Sequence, residues 1–201
     1  MTIATDNLVC VFCASSDSPN KIYNEAANDL GCELAQAGYG LVYGGGDWGL
    51  MGRVARGVSE NNGAVVGIIP RPLTKVEGAA EIGQTIFVDS MHERKQKMNE
   101  LASAFIALPG GFGTLEELLE ITTWSLLRIH SKPIIVVNVN GYYNALRDMI
   151  NNAVEAGFLN QGNSNIIVMC DTPKEAVAAL KSYSAPSTRY DLSWTTDSQA
   201  E

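Results

Sequence analysis

The chain has 201 residues, 46% hydrophobic and 18% charged, with a formal net charge of −8, enough apolar material for one sizeable α/β core. The acidity, with a sequence pI of about 4.8, argues against bulk nucleic acid or an anionic membrane as partner, because no basic stripe offsets it. No apolar run approaches the roughly 20 residues needed to span a bilayer, and Met1 to Asn7 lacks the apolar centre of a signal peptide, so a cytoplasmic protein is expected.

Leu8 to Cys13 reads as the first strand, followed by the small polar turn Ala14-Ser15-Ser16. Cys10 and Cys13 form a C-x-x-C, but a spacing of three puts them on opposite faces of a strand. Cys32 and Cys170 are isolated and the only histidines are His92 and His130, so no metal site is implied. Tyr23 to Ala37 has helical spacing (Ala26, Ala27, Leu30, Leu34) and stops at Gly38, a candidate C′ glycine. Tyr39 to Tyr43 is the second strand and runs into Gly44-Gly45-Gly46-Asp47-Trp48-Gly49, which opens a helix to about Asn61.

Gly44-x-Gly46-x-x-Gly49 matches a dinucleotide fingerprint, yet the carboxylate due about 20 residues on is replaced by Ile68-Ile69-Pro70-Arg71. An NAD(P)-linked oxidoreductase is therefore a minority reading. The bland alternative is that Gly49 and Gly52 let helix and sheet pack closely. Ala64 to Ile69 is the third strand, closed by Pro70-Arg71-Pro72, and residues 73–83 read as a loop.

Gln84 to Val88 reads as a short strand, with Asp89 or Ser90 capping a helix from Met91 to Ala102. Basic residues early in a helix oppose its dipole. Arg94 and Lys95 make more sense facing an anion or a carboxylate cluster than as a solvated first turn. Ser103 to Leu108 is a buried strand ended by Pro109. Gly110, Gly111 and Gly113 then allow positive φ and close approach to a ligand. Thr114 reads as an N-cap with Glu117 three residues on, a capping box opening a helix to about Ile129. Strand, glycine loop and helix start aim N–H groups at one point that suits a phosphate. Glu116, Glu117 and Glu120 are more carboxylates than a cap requires and suit ribose hydroxyls.

Lys132 to Asn138 is a further strand, Tyr142 to Glu155 a helix ending at Gly157, and Ile166 to Met169 the last strand; Pro173 opens a helix to about Tyr183. From Ser184 polar residues predominate without apolar period, so residues 184–201 are expected to be a disordered tail. The expected organisation is a flexible stretch over 1–7 and one Rossmann-like nucleotide-binding domain over 8–183. Its sheet is parallel and doubly wound, flanked by helices. The turns at Ser15, Gly44 to Gly49, Arg71 and Gly110 to Thr114 all fall at its carboxyl edge, where such sheets bind ligands.

Pro109-Gly110-Gly111-Phe112-Gly113-Thr114-Leu115-Glu116-Glu117 fits a Pro-Gly-Gly-x-Gly-Thr-x-x-Glu signature and resembles the Lonely Guy family of cytokinin-activating phosphoribohydrolases. The resemblance extends to Cys13 through Ser16, Gly44 through Gly52 and Met91 through Lys95, and covers residues 8–183; Ala14 departs from the glycine of many relatives. It implies hydrolysis of N6-substituted adenosine 5′-monophosphates, and of AMP itself, to free base and ribose 5-phosphate without a cofactor. Arg94 and Glu117 are then catalytic, and Gly110, Gly111, Phe112, Gly113 and Thr114 hold the phosphate. Glu77, Lys95, Glu116 and Thr123 bind substrate, with Ser15 and Gly45 flanking it.

The resemblance also implies a homodimer or higher homo-oligomer with sites near the subunit interface. Trp124, Leu126 and Leu127 are candidates for that surface or for core. Members of this family are often labelled lysine decarboxylases, but no lysine here sits in an evident Schiff-base setting. A non-catalytic nucleotide carrier or sensor on the same fold is the alternative. The pair Arg94 and Glu117 favours the enzyme, because a binding module needs the glycine loop without them.

Overall fold

The computed structural model describes residues 7–77 and 82–194, with only the backbone at Val76 and Glu77. Its strands are β1 (Leu8–Phe12), β2 (Gly40–Tyr43), β3 (Val65–Pro70), β4 (Gln84–Val88), β5 (Ala102–Ala107), β6 (Ile134–Val137) and β7 (Val168–Cys170). The helices between and after them are α1 (Lys21–Gln36), α2 (Gly49–Glu60), the single turn α3 (Thr74–Glu77), α4 (Met91–Leu101), α5 (Phe112–Leu126), α6 (Asn144–Glu155) and α7 (Pro173–Ser182). Residues 73–83 are thus not wholly a loop, since a 3-10 turn over Arg71–Leu73 leads into α3.

All strand pairs are parallel, in the order β4-β3-β2-β1-β5-β6-β7. From β1 the chain winds outward through β2, β3 and β4, then returns to lay β5 on the other side of β1. The winding reverses between β1 and β5, the place where open α/β sheets form a ligand crevice.

The five inner strands are buried on both faces, as helix-covered parallel sheets require, whereas the edge strands β4 and β7 are partly exposed. Val9, Val11, Ile106 and Val137 pack on the side of α1, α2 and α7, whereas Cys10, Phe12, Phe105 and Val136 pack on the side of α4, α5 and α6. Cys10 and Cys13 fall on opposite sides as their spacing requires, and both are free thiols.

Helix starts divide into two kinds. Ser90 Oγ accepts from the Glu93 N–H at 3.1 Å while Glu93 accepts from the Asp89 N–H at 2.9 Å, a capping box on α4. Thr172 and Glu175 do the same for α7, with Pro173 at its first position. At α5 the expected box is absent. The N-cap is Gly111 with no side-chain cap, and Thr114 lies inside the first turn. Nor do Gly110, Gly111 and Gly113 take positive φ; in the glycine-rich turns that conformation belongs to Gly45 and Gly49.

The tail also departs from expectation. Residues 184–194 run along the carboxyl end of α5, where Arg189 Nη1 donates to Ser125 O at 3.1 Å and His130 O at 2.8 Å. Tyr190 N–H donates to Leu126 O at 3.2 Å and Trp194 Nε1 to Leu127 O at 2.7 Å. The last carbonyls of a helix have no partners within it, so this strap supplies them. Residues 195–201 lie outside the described residues.

Candidate active site

A cavity of about 470 Å³ opens at the carboxyl ends of β1 and β5, within the size range of small-molecule sites. Its base is Phe12 and Cys13, and its walls are the turn Ala14 to Ser16, Gly44, Met91 and Arg94 of α4, and Gly111 to Thr114 with Glu116 and Glu117 of α5. The first turn of α5 therefore faces the cavity with its backbone donors uncapped. Phe112 stands at the mouth, 94% exposed.

Arg94 is 5% exposed despite its place in the second turn of α4, which removes the reading of a solvated helix charge. Its guanidinium crosses to the end of β2, where Nη2 donates to Gly44 O at 3.4 Å, and Nη1 lies 3.9 Å from Met91 Sδ. Among the described residues Nε is buried without a partner, an unspent donor beside the cavity. A β-carbon at Gly44 would overlap the guanidinium, so Arg94 depends on that glycine. Glu117, 9% exposed, enters from α5. Both side chains act on the Cys10 thiol, whose pKa burial pushes well up, Glu117 raising it further and Arg94 lowering it. The Cys13 thiol is pushed up by burial and by Glu117 in the same way. Both sulfurs stay protonated, which disfavours them as nucleophiles.

The other anticipated residues sort themselves by position. Ser15 and Thr114 line the cavity, and Thr114 Oγ1 leans over Gly110, where any β-carbon would overlap it. Gly110 itself lines a neighbouring cavity of about 250 Å³ with Tyr23 and Tyr142. Gly45 backs onto Gly67, Ile68 and Ile69 of β3 and does not line the larger cavity. Lys95 is also outside it, cross-linking Glu116 and Glu120 of α5. Burial works against the Lys95 charge, but its hydrogen bonds to those two carboxylates leave its pKa raised overall. An ammonium so held is a poor Schiff-base former. Thr123 is exposed two turns further along α5, its hydroxyl donating to Leu119 O at 2.8 Å. Glu77 ends α3, and its side chain lies outside the described residues. Arg71 is turned away, 3.5 Å from Asp89 and over the Phe87 ring.

The glycines of the second loop have structural work that explains them without a dinucleotide. A β-carbon at Gly49, where φ is +62°, would overlap the Ser15–Ser16 backbone, and one at Gly52 would overlap Asp47 O. The loop thereby supports the β1 turn, and Met51 N–H donates to Ala14 O at 3.3 Å.

The family model described as possible lysine decarboxylase matches residues 51–180. A probable cytokinin riboside 5′-monophosphate phosphoribohydrolase of Oryza sativa subsp. japonica, LOGL2, is 49% identical over 88% of this chain and 72% of its own. The Arabidopsis thaliana enzyme LOG3, named cytokinin riboside 5′-monophosphate phosphoribohydrolase, is 49% identical over 87% of this chain and 82% of its own. The chain belongs to the Lonely Guy family.

Among solved structures, the molybdenum cofactor carrier protein of Chlamydomonas reinhardtii superposes with a TM-score of 0.64 at 20% identity, over 88% of this chain and 96% of that one. DNA processing protein A of Streptococcus pneumoniae gives a TM-score of 0.56 at 10% identity, over 86% and 61%. These likenesses concern the fold alone. Within the Lonely Guy fold, sequence reasoning did not single out Met91 and Leu73 in the cavity wall or the Gly44–Arg94 contact. Met91 stood beside Arg94 in the motif, but nothing in the sequence tied Gly44 to a side chain 50 positions away.

Proposed function

We propose that this chain hydrolyses the N-glycosidic bond of N6-substituted adenosine 5′-monophosphates and of AMP, releasing free base and ribose 5-phosphate. The observation that carries this reading is one cavity in which an uncapped helix start meets buried Arg94 and Glu117. The N–H groups of Gly111 to Thr114 and the positive end of α5 take the 5′-phosphate. The ribose then lies towards Glu117. As the C1′–N9 bond breaks, its electron pair leaves with the purine and positive charge develops on the sugar, where a carboxylate stabilises it. Water completes the reaction, its hydroxyl adding to C1′ and its proton going to the departing base. The Nε of Arg94 is a donor for the purine or for Glu117. The activity in the names of relatives sharing nearly half of the sequence supports the same reading.

Lys95 and Thr123 stand outside the cavity of a single chain, while Leu119 and Phe112 are exposed on the same helix. We infer a homodimer that covers this face of α5 and brings those residues closer to bound substrate. Incubation with AMP and isopentenyl-AMP, followed by chromatography, is expected to show base and ribose 5-phosphate in equal amounts. Tight binding of both nucleotides without base release would overturn the hydrolase in favour of a carrier.

A further inference from the structure

Three successive carbonyl groups ahead of α5 are each held by a different donor. Leu108 O accepts from Tyr143 Oη at 2.7 Å, Pro109 O from the Ala14 N–H at 3.1 Å, and Gly110 O from Tyr142 Oη at 2.6 Å. None of the described peptide bonds is cis, and in a trans peptide the C=O and the following N–H point in opposite directions. Holding the Gly110 carbonyl therefore also fixes the Gly111 N–H, on the far side from Tyr142. Gly111 borders both cavities, whereas Tyr142 borders only the smaller one.

We propose that Tyr142 is a positioning residue for the anion site: its hydroxyl holds the Gly110 carbonyl on the side of the smaller cavity and so aims the Gly111 N–H into the larger one, at the substrate's phosphate. This rests on the reading of that cavity as a nucleotide 5′-phosphate site. Tyr142 does not touch the substrate and acts only through the peptide unit. Its ring is fixed for the purpose, edge-on to Tyr143 with centroids 5.0 Å apart and to Tyr23 at 5.8 Å. Tyr143 is 2% exposed, and burial pushes its hydroxyl pKa well up, so it remains a donor to Leu108. The need for such an anchor follows from the glycines. Gly110 must be small to admit Thr114, and two adjacent glycines lose more conformational freedom than any other pair when they are ordered. A loop fixed before binding does not charge that loss to the ligand.

Tyr142→Phe removes the hydroxyl and keeps the ring, at a residue 43% exposed. Calorimetric titration of wild type and variant with AMP, adenosine and inorganic phosphate, together with thermal melts, tests the proposal. Affinity for AMP and phosphate is expected to fall about five- to tenfold, the worth of one oriented hydrogen bond, while adenosine affinity and the thermal midpoint stay close to wild type. Unchanged AMP affinity, an equal loss for adenosine, or a collapsed midpoint would each overturn it. Because the readout is binding, a wild type that binds AMP but releases no base removes the hydrolase reading and leaves this comparison intact. A wild type that binds neither AMP nor phosphate overturns both.

Discussion

At the scale of single residues, burial decides between competing readings. A guanidinium 5% exposed, its Nε unpartnered among the described residues, has no place on a solvated helix face, because an unsatisfied buried donor costs about 1–3 kcal/mol. Arg94→Lys is expected to lower base release strongly at a near-normal thermal midpoint, since lysine lacks the planar fork that reaches Gly44 and the cavity together. Gly44→Ala should produce the same phenotype without altering Arg94, because the new methyl occupies the guanidinium's position; near wild-type turnover in Gly44→Ala would break that link. Glu117→Gln, an isosteric change, is expected to cut turnover by about 100-fold or more if the carboxylate faces a developing cation. Stopped assays with a melt on the same sample check it. The sequence displayed Arg94 through a charge at the wrong end of a helix. It disguised Glu117, whose spacing from Thr114 imitates a cap that the fold does not make.

At the scale of elements, α5 is left open at one end and closed at the other. Its amino end keeps its donors for a ligand, while its carboxyl end is sealed by residues 184–194, with the Arg189 cation at the negative end of the dipole. Arg189→Ala is expected to destabilise the protein by about 1–2 kcal/mol, through lost hydrogen bonds to Ser125, His130 and Pro186 carbonyls. Urea unfolding measures that loss, and an unchanged midpoint would make the strap ornamental. Apolar period and turn residues made the strands and long helices legible, down to Gly38 and Gly157, both at positive φ where helices end. Period could not reveal the strap, which is held by backbone and side-chain hydrogen bonds rather than by an apolar face. Nor could composition show that Gly110 serves Thr114 and Gly44 serves Arg94, since both needs arise only once distant segments meet.

At the scale of the whole molecule, acid sensitivity has an identifiable source. His130 is buried with Nε2 donating to Ile121 O at 3.0 Å and Nδ1 accepting from the Lys132 N–H at 3.1 Å, so a second ring proton would cost an acceptor. Burial, reinforced by the Lys132 and Arg189 charges, depresses its pKa from 6.5 to about 4. Between those values the unfolded chain binds the proton and the native one does not, so stability is lost as pH falls through that window and levels off below it. The loss should be about 3 kcal/mol. Urea midpoints of wild type and His130→Gln across the window are expected to diverge, with the variant less acid-sensitive; parallel curves would place the effect elsewhere. The strand order carries a consequence for biosynthesis. Leu8 pairs with Gly40 on one side and Ala102 on the other. The first of the described strands in chain order is therefore the central one, and it keeps an apolar edge unpaired until β5 has followed. Such an edge invites pairing with neighbouring chains, and the wait for a distant parallel partner slows folding. Refolding yield should accordingly fall as protein concentration rises, and the crevice between β1 and β5 forms only when that last central pairing closes.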